Sequence, residues 1–339
     1  MKYTVLGNSG LRVSRLCLGT MTFGTEWGYG ADREESKNQF DAFVRAGGNF
    51  IDTANYYTKG TSEKYLGEFL HSNREELVIA TKYTLNTNAA NLNTGGNHKK
   101  NLVQAVESSL NNMKLDYIDI LWVHVWDFTV RPQELMRWLN DLTATSKVLH
   151  IGISDTPAWI MATCNTLAEC NAWEQFSAIQ VEYSLLQRTP ERDLLPMAKT
   201  FNMGVTAWSP LAAGLLTGKY LTNREENSRI AEDSNRIKNR NVAVEQAVVD
   251  VANEITEEPA NVALAWILQQ NNSYIPIIGA RTGAQIASNT KAVELVLDQN
   301  HIDKLNEVSK ISMGFPHDFV STDSVKNVIF GEKKFDLNR

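Results

Sequence analysis

Short apolar runs alternate along the chain with longer stretches in which apolar residues recur every three or four positions. Eight of the short runs have the length and β-branched content that is typical of buried parallel strands. These runs are LCLG (16–19), FID (50–52), LVIAT (77–81), YIDILWVH (117–124), VLHIGIS (148–154), SAIQVEY (177–183), GVTAW (204–208) and YIPIIG (274–279).

The stretches between the runs predict amphipathic helices. In residues 99–113, one helical face carries Leu102, Val106, Leu110 and Met113. Asp32 with Glu35 resembles a capping box that opens the first helix, and Pro132 fits the first turn of another.

Repeated strand–helix alternation predicts an α/β fold, and eight such units are the number that closes a (β/α)8 TIM barrel. We expect an N-terminal β-hairpin before the barrel and two accessory helical segments, one within residues 211–241 and one in the tail from about Asn300. An open doubly wound sheet is the alternative architecture. No linker or repeat divides the chain, so residues 1–339 are expected to form one barrel domain.

Composition narrows the classes of partner. The net charge of −6 argues against nucleic acid as the main partner, although a local basic site for one phosphate group remains compatible with it. No apolar run approaches the ~18 residues of a membrane span. The three cysteines (Cys17, Cys164 and Cys170) match no zinc or redox spacing, which favours a reducing compartment and predicts a cytoplasmic protein.

Polar residues stand at or just after the ends of successive predicted strands. In α/β barrels the active site lies at the carboxyl ends of the strands, so these side chains should meet at one mouth. They are Asp52, Lys82, His124, Ser154, Asp155, Gln180, Trp208 and Ser209.

Four residues could together assist the reduction of a carbonyl group by a hydride, which requires a proton donor for the developing alkoxide. A tyrosine with an ordinary pKa of about 10 is a weak proton donor, but a neighbouring ammonium favours the phenolate and lowers that pKa. A carboxylate would hold the ammonium, and a histidine could stabilise charge on the carbonyl oxygen. Asp52, Tyr57, Lys82 and His124 supply these parts. Taken singly, each also has a structural explanation, such as a turn cap, a solvated lysine or a hydrogen-bonded histidine.

The motifs IDTANYYTKGTSEKYLG (51–67), IATK (79–82) and DILWVH (119–124) resemble the aldo-keto reductase superfamily. The similarity runs from LGNSGLRVSRLCLGTMTFG (6–24) to IIGARTGAQIASN (277–289), and LWVHVWD (121–127) resembles the aryl-alcohol-dehydrogenase branch. The resemblance implies a (β/α)8 barrel that binds NADPH in extended form without a metal. It also implies a catalytic tetrad of Asp52, Tyr57, Lys82 and His124, in which Tyr57 donates the proton.

The chain departs from the family pattern at three strand ends. Thr58 follows the tyrosine where glycine is usual, and Tyr56 precedes it, so the five-residue offset from Asp52 selects Tyr57. Asp155 stands where asparagine is common. Trp208 stands where an aromatic residue, often tyrosine, stacks on nicotinamide, and an indole face can do the same.

The expected NADPH contacts follow from Arg281 and from the resemblance. Arg281 stands just after the last predicted strand, where a guanidinium can bind the 2′-phosphate with paired hydrogen bonds. Thr282-x-x-Gln285 also reads as a capping box, which does not exclude adenine contact by Gln285. The resemblance implies further contacts from Ser154, Asp155, Gln180, Trp208, Ser209, Leu211, Gly214, Lys219, Gly279, Gln285 and Asn289.

The substrate is expected to be a small aldehyde or ketone, because the predicted loops at the mouth are aromatic. Trp27 and Trp126 are the main substrate candidates, and the others are Phe23, Tyr83, Phe128, Phe315 and Phe319. Some of these rings are also expected simply to pack between loops.

Other functional classes fit less well. The only G-x-G pair has Arg33 where a third glycine is needed, and no tyrosine precedes a lysine by four residues, as the short-chain dehydrogenase dyad requires. A regulatory subunit resembling the β-subunits of potassium channels is the main alternative, but those relatives have asparagine at the position of His124. A lyase with Lys82 as Schiff-base nucleophile is disfavoured by Asp52, which would keep the lysine charged.

Overall fold

The chain folds around a closed barrel of eight parallel strands. The computed structural model describes residues 1–70, 73–222 and 241–331. An antiparallel hairpin of β1 (Tyr3–Val5) and β2 (Arg12–Ser14) precedes the barrel. The barrel strands are β3 (Cys17–Gly19), β4 (Phe50–Asp52), β5 (Val78–Tyr83), β6 (Ile118–Val123), β7 (Val148–Ser154), β8 (Phe176–Glu182), β9 (Gly204–Trp208) and β10 (Tyr274–Ile278). Strands β3 to β9 lie in chain order, and β10 closes the ring between β9 and β3.

Helices surround the barrel and extend the chain beyond it. The α-helices are α1 (Arg33–Arg45), α2 (Thr61–Phe69), α3 (Lys99–Met113), α4 (Pro132–Thr143), α5 (Ala158–Asn171), α6 (Leu194–Thr200), α7 (Lys219–Thr222), α8 (Val242–Ile255), α9 (Pro259–Gln270), α10 (Gly283–Asn289), α11 (Gln299–Val308), α12 (His317–Ser321) and α13 (Asp323–Phe330). Short 3-10 helices occupy Tyr57–Gly60, Arg74–Glu76, Leu92–Thr94, Thr189–Arg192, Ala212–Thr217 and Thr290–Val293. In the part of the chain that the structure covers, no helix is both long enough and apolar enough to cross a bilayer.

The predicted TIM barrel and its N-terminal hairpin are confirmed. The runs 50–52, 148–154 and 204–208 coincide with β4, β7 and β9, because a strand covered on both faces is apolar throughout. Of the first accessory segment, residues 212–222 contain a 3-10 helix and α7, and residues 223–240 lie outside the described residues. The second accessory segment contains α11, α12 and α13.

Helix starts follow the expected chemistry with one difference. The Asp32 side chain accepts a hydrogen bond from the Glu35 amide at the start of α1, and Pro132 opens α4. The Glu35 carboxylate does not complete a capping box, because its Oε1 atom accepts a hydrogen bond from the Gly283 amide at 2.6 Å. Glu35 therefore links α1 to the start of α10.

Side chains of one parity fill the barrel interior. One buried apolar cluster contains Leu6, Val13, Cys17, Phe50, Val78, Ala80, Ile120, Trp122, Ala178, Ile275 and Ile277. Their strand neighbours, such as Ile51 and Ile79, join the larger core between strands and helices. Gly152 leaves room for Trp122, because a Cβ atom at Gly152 would lie 2.3 Å from the indole ring.

The hairpin closes the amino-terminal end of the barrel. Its residues Leu6 and Val13 belong to the interior cluster. Gly7 has a φ of +51°, and a Cβ atom there would lie 2.1 Å from the carbonyl oxygen of Ser177. The contact with Ser177 lies at the start of β8, so the opposite, carboxyl end of the barrel is the one that remains available for a site.

Candidate active site

The period of the strands brings polar residues together above the apolar interior. Successive residues of a strand point to opposite faces, so the interior residue Phe50 is followed by Asp52, and Ala80 by Lys82. By the same rule His124 follows Trp122, and Gln180 follows Ala178. Strands β4, β5, β6 and β8 thus each place one polar residue inside the barrel, above the apolar cluster and towards the mouth.

Lys82 is the centre of this group. Its Nζ atom forms an ion pair with Asp52 and donates hydrogen bonds to the carbonyl oxygen of Thr53 at 2.8 Å and to the hydroxyl of Tyr57 at 3.0 Å. Gln180 Nε2 donates to the second carboxylate oxygen of Asp52 at 3.1 Å. Both members of the ion pair are buried. The structure therefore joins Asp52, Lys82, Gln180 and Tyr57 in one hydrogen-bonded network.

The network keeps Lys82 protonated. Burial alone would lower the pKa of Lys82, but the opposite charge of Asp52 and the hydrogen bonds to Asp52 and Tyr57 outweigh it and raise that pKa. Burial also raises the pKa of Tyr57, and the ammonium of Lys82 offsets only part of that rise. Lys82 therefore lowers the pKa of Tyr57, as expected, but by less than burial raises it. Tyr57 keeps its proton at neutral pH.

His124 lies beside Tyr57 and is uncharged. The centroids of the two rings are 6.0 Å apart, with the ring planes 82° apart. Burial, with a smaller contribution from the charge of Lys82, lowers the pKa of His124 to about 3. Its Nδ1 atom is buried and has no hydrogen-bond partner among the described residues. A neutral imidazole at this point carries one N–H that can be donated to a ligand.

The turn after Tyr57 is strained and firmly held. Thr58 and Lys59 both adopt the left-handed conformation, with φ of 46° and 55°. Each such residue costs about 1–2 kcal/mol unless it is glycine, which accounts for the usual glycine after this tyrosine. The hydroxyl of Thr58 compensates, because it donates to the Phe23 carbonyl at 2.6 Å and accepts from the Ser62 amide at 3.1 Å. The hydroxyl thereby fixes the turn that carries Tyr57.

The residues expected around a nicotinamide ring lie at the ends of β7, β8 and β9. The Trp208 indole donates to Asp155 Oδ1 at 3.0 Å, which fixes the orientation of the indole. Asp155 has a φ of 39°, the left-handed conformation that asparagine and aspartate tolerate best. The Ser154 hydroxyl is buried and lacks a hydrogen-bond partner within the described part of the chain. The structure thus ties Trp208 to Asp155 and leaves the Ser154 hydroxyl available to a ligand.

The residues expected at the adenosine end follow β10. Gly279 and Arg281 are exposed, and Asn289 is buried at the end of α10. The Thr282 side chain accepts from the Gln285 amide at 3.2 Å, and Gln285 Oε1 accepts from the Arg281 amide at 2.9 Å. Thr282 therefore caps α10 as predicted, while Gln285 binds the amide of the preceding residue and holds the backbone of Arg281 next to the helix start.

The loop expected to cover the pyrophosphate contains Ser209, Leu211, Gly214 and Lys219. Ser209 and Gly214 have φ of 55° and 96°, and Gly214 lies within the 3-10 helix Ala212–Thr217. Lys219 begins α7, and its Nζ atom lies 5.1 Å from the centre of the Tyr220 ring. These residues stand directly after β9, on the same side of the barrel as the Lys82 network.

The aromatic residues expected at the mouth separate into three groups by their burial. Trp27 is half-buried, and its ring centre lies 6.3 Å from that of Tyr57 in an edge contact. Phe23, Tyr83 and Trp126 are buried in the main core, with Trp126 only 5% exposed. Phe128, Phe315 and Phe319 are exposed. Contact of Trp126 with a substrate stays a prediction, whereas Trp27 lies beside the network.

Two contributors to the site were missed in the sequence. The carbonyl of Thr53 binds Lys82, and a backbone contact leaves no trace in residue type. Thr58 holds the turn after Tyr57. The sequence did contain a sign of this role, because a threonine stands where glycine is usual. A β-branched residue in a left-handed turn is strained, and other contacts must offset that strain.

Comparisons with known proteins place these motifs in context. A model described as the Aldo/keto reductase family matches residues 15–310. The chain is similar to a norsolorinic acid reductase of Aspergillus flavus, with 37% identity over 92% of this chain and 82% of that protein. It is also similar to an aldo-keto reductase of Emericella nidulans, with 36% identity over 95% of this chain and 85% of the relative. An aryl-alcohol dehydrogenase of Pestalotiopsis microspora shares 33% identity over 92% of this chain and 83% of its own length.

Proposed function

The chain belongs to the aldo/keto reductase family, and on this premise we propose that it reduces an aldehyde or ketone to the alcohol with NADPH, with Tyr57 as the proton donor. Membership makes it an oxidoreductase of carbonyl compounds. To this family activity we add two proposals: NADPH as the cofactor and Tyr57 as the proton donor.

One observation carries the proposal. The hydroxyl of Tyr57 lies 3.0 Å from the Nζ atom of Lys82, and that ammonium is held by Asp52 in a buried ion pair. A phenol that is buried, protonated and bound to a fixed cation can release its proton when a stronger base forms next to it. The alkoxide formed by carbonyl reduction is such a base.

The proton transfer then proceeds between groups of this chain and the substrate. A bound reduced nicotinamide would supply the hydride to the carbonyl carbon, which would leave the carbonyl oxygen basic. Tyr57 gives its proton to that oxygen and becomes a phenolate. Lys82 stabilises the phenolate at hydrogen-bond distance. In this scheme the ammonium acts mainly on the product of proton transfer, which agrees with the raised pKa of Tyr57 before reaction.

His124 would orient the substrate. Because its pKa is lowered to about 3, the imidazole stays neutral over the ordinary range of pH and donates one hydrogen bond to the carbonyl oxygen. A charged imidazole beside Lys82 would place two cations next to each other. The neutral form avoids that repulsion and still favours charge on the oxygen.

The residues around the mouth fit a nicotinamide nucleotide. The buried hydroxyl of Ser154 can bind a polar group such as a carboxamide, and the indole of Trp208, fixed by Asp155, offers a face for stacking. Arg281 would hold the 2′-phosphate, with Gln285 and Asn289 at the adenine. An aryl or medium aliphatic carbonyl compound is the proposed substrate class, since Trp27 lies beside Tyr57.

The direct test is consumption of NADPH by the purified protein with an activated aldehyde such as 4-nitrobenzaldehyde. We expect loss of nicotinamide absorbance that depends on both protein and aldehyde, together with formation of 4-nitrobenzyl alcohol. The proposal fails if a panel of aryl and aliphatic aldehydes and ketones yields no alcohol while the folded protein binds NADPH.

Replacement of Arg281 tests the cofactor preference. A hydrogen-bonded contact to a charged group corresponds to about a 10- to 100-fold change in affinity. We therefore expect Arg281→Ala to raise the Kd of NADPH by about that factor and to leave the Kd of NADH nearly unchanged, as measured by fluorescence titration. Lys291→Ala, which removes a nearby exposed cation, is the matched control. Equal affinity of the parent protein for NADPH and NADH would remove Arg281 from this role.

A further inference from the structure

A polar cleft opens beside the Tyr57 network. It has a volume of about 570 Å³ and lies between the segment that joins β4 to α2, the loop that joins β5 to α3, and α3 itself. Trp27 and Tyr56 contribute to its lining, and the Trp27 ring makes an edge contact with Tyr57 at 6.3 Å. One indole ring therefore lies between the cleft and the proposed proton donor. We call this space the side cleft.

The side cleft is lined by cationic side chains, and the buried carboxylate of Glu63 lies behind the lining residue Asn112, which donates to it at 2.9 Å. Lys59 and Lys64 contribute to its lining, and no aspartate or glutamate does. Neither lysine has a carboxylate oxygen within 4.0 Å among the residues that the structure describes, whereas the nearby Lys99 pairs with Asp141. The other lining side chains are mostly amides and hydroxyls. In a chain with a net charge of −6, two cations in one polar cleft form a local site for an anion.

The backbone under this site is fixed. Lys59 is the second of the two left-handed residues after Tyr57, and the hydroxyl of the buried Thr58 anchors the turn to Phe23 and Ser62. Such strain persists only where the surrounding structure determines it, and it gathers at ligand sites. Lys64 lies in the first part of α2, directly after the turn. Lys59 therefore lies in the fixed turn that follows Tyr57, and Lys64 lies in the helix that begins directly after this turn.

We propose that the side cleft binds an anionic group at the far end of the carbonyl substrate, with Lys59 and Lys64 as the specificity-determining residues. The inference rests on the proposed carbonyl reduction at Tyr57. The reacting carbonyl lies at Tyr57 and the anion lies beyond Trp27, so the substrate must be longer than a single benzaldehyde ring. An aryl aldehyde or ketone that bears a carboxylate, phosphate or sulfonate on a short chain has this form.

The test uses two matched series of benzaldehydes with 4-alkoxy chains of increasing length, one ending in a carboxylate and the other in its methyl ester. We expect the KM of the acid to fall below that of the ester at one chain length by about 5- to 10-fold, since each exposed ion pair contributes modestly. In the double variant Lys59→Met/Lys64→Met the ester-to-acid ratio of KM should approach one. Added salt should reduce the ratio in the parent protein.

The control is Lys99→Met/Lys100→Met, which removes two exposed lysines at the start of α3 that do not line the cleft. It should keep the ratio of the parent protein. Equal KM of acids and esters at every length, or an unchanged ratio in the Lys59→Met/Lys64→Met variant, would overturn the inference. Calorimetric binding of the acids and esters gives the same comparison without turnover. A protein that prefers the acids in binding but reduces neither series would remove the proposed reaction and keep the side cleft.

Discussion

Tyr57→Phe should remove nearly all carbonyl reduction while the protein remains folded. Proton transfer by a positioned acid contributes about 10²- to 10⁴-fold to a rate, so kcat with 4-nitrobenzaldehyde should fall by about that factor. The variant removes only one oxygen atom, at the point where Tyr57 meets Lys82. Single-turnover absorbance of NADPH separates the chemical step from product release. The Kd of NADPH should change little, because no contact of Tyr57 with the adenosine half is proposed.

The tyrosine doublet supplies the matched control. Tyr56 is 40% exposed, and its ring lies in a tilted contact with Trp27, with the ring centres 5.7 Å apart. Tyr56→Phe should therefore keep kcat within a small factor of the parent protein. If Tyr56→Phe lost the activity and Tyr57→Phe kept it, the five-residue offset from Asp52 would have selected the wrong tyrosine.

The barrel was predictable because its strands are buried on both faces. A buried parallel strand is apolar throughout, so runs such as 50–52 and 204–208 mark their strands from end to end. The prediction ended β5 at Thr81, yet the strand continues through Lys82 to Tyr83. A lysine breaks an apolar run, and its pairing with Asp52 on the neighbouring strand β4 allows it to lie inside. Tertiary pairing therefore decided where β5 ends, at a residue of the site.

The candidate site was predictable as a set of strand ends, and its loops were not. Period two along a strand decides that Asp52, Lys82 and His124 share the interior. The period still holds for His124, one residue after β6, but Trp126 lies two residues farther along, where the loop turns it into the core. Helices α12 and α13 have only five and eight residues and no buried side chains, so their short sequences did not distinguish them from an irregular tail. Side-chain direction in loops is set by contacts that a single sequence does not display.

Removal of the Lys82 charge should cost both stability and activity, and a second substitution should separate the two. Lys82→Met leaves the buried carboxylate of Asp52 without its cation, and loss of one partner of a buried pair costs about 3–5 kcal/mol in the free energy of unfolding. Denaturant titration followed by tryptophan fluorescence measures this loss. Lys147→Met, which breaks an exposed pair with Glu107, should cost less than about 1 kcal/mol.

The double variant Asp52→Asn/Lys82→Met should regain most of the lost stability, because it removes both buried charges and keeps an amide oxygen for Gln180 to bind. It should not regain activity, since the phenolate of Tyr57 would have no ammonium to stabilise it. If Lys82→Met lowered the free energy of unfolding by no more than Lys147→Met, the buried ion pair of Lys82 with Asp52 would not be an important contributor to stability. If the double variant recovered reduction together with stability, Lys82 would serve the fold alone, and proton release from Tyr57 would need another cause.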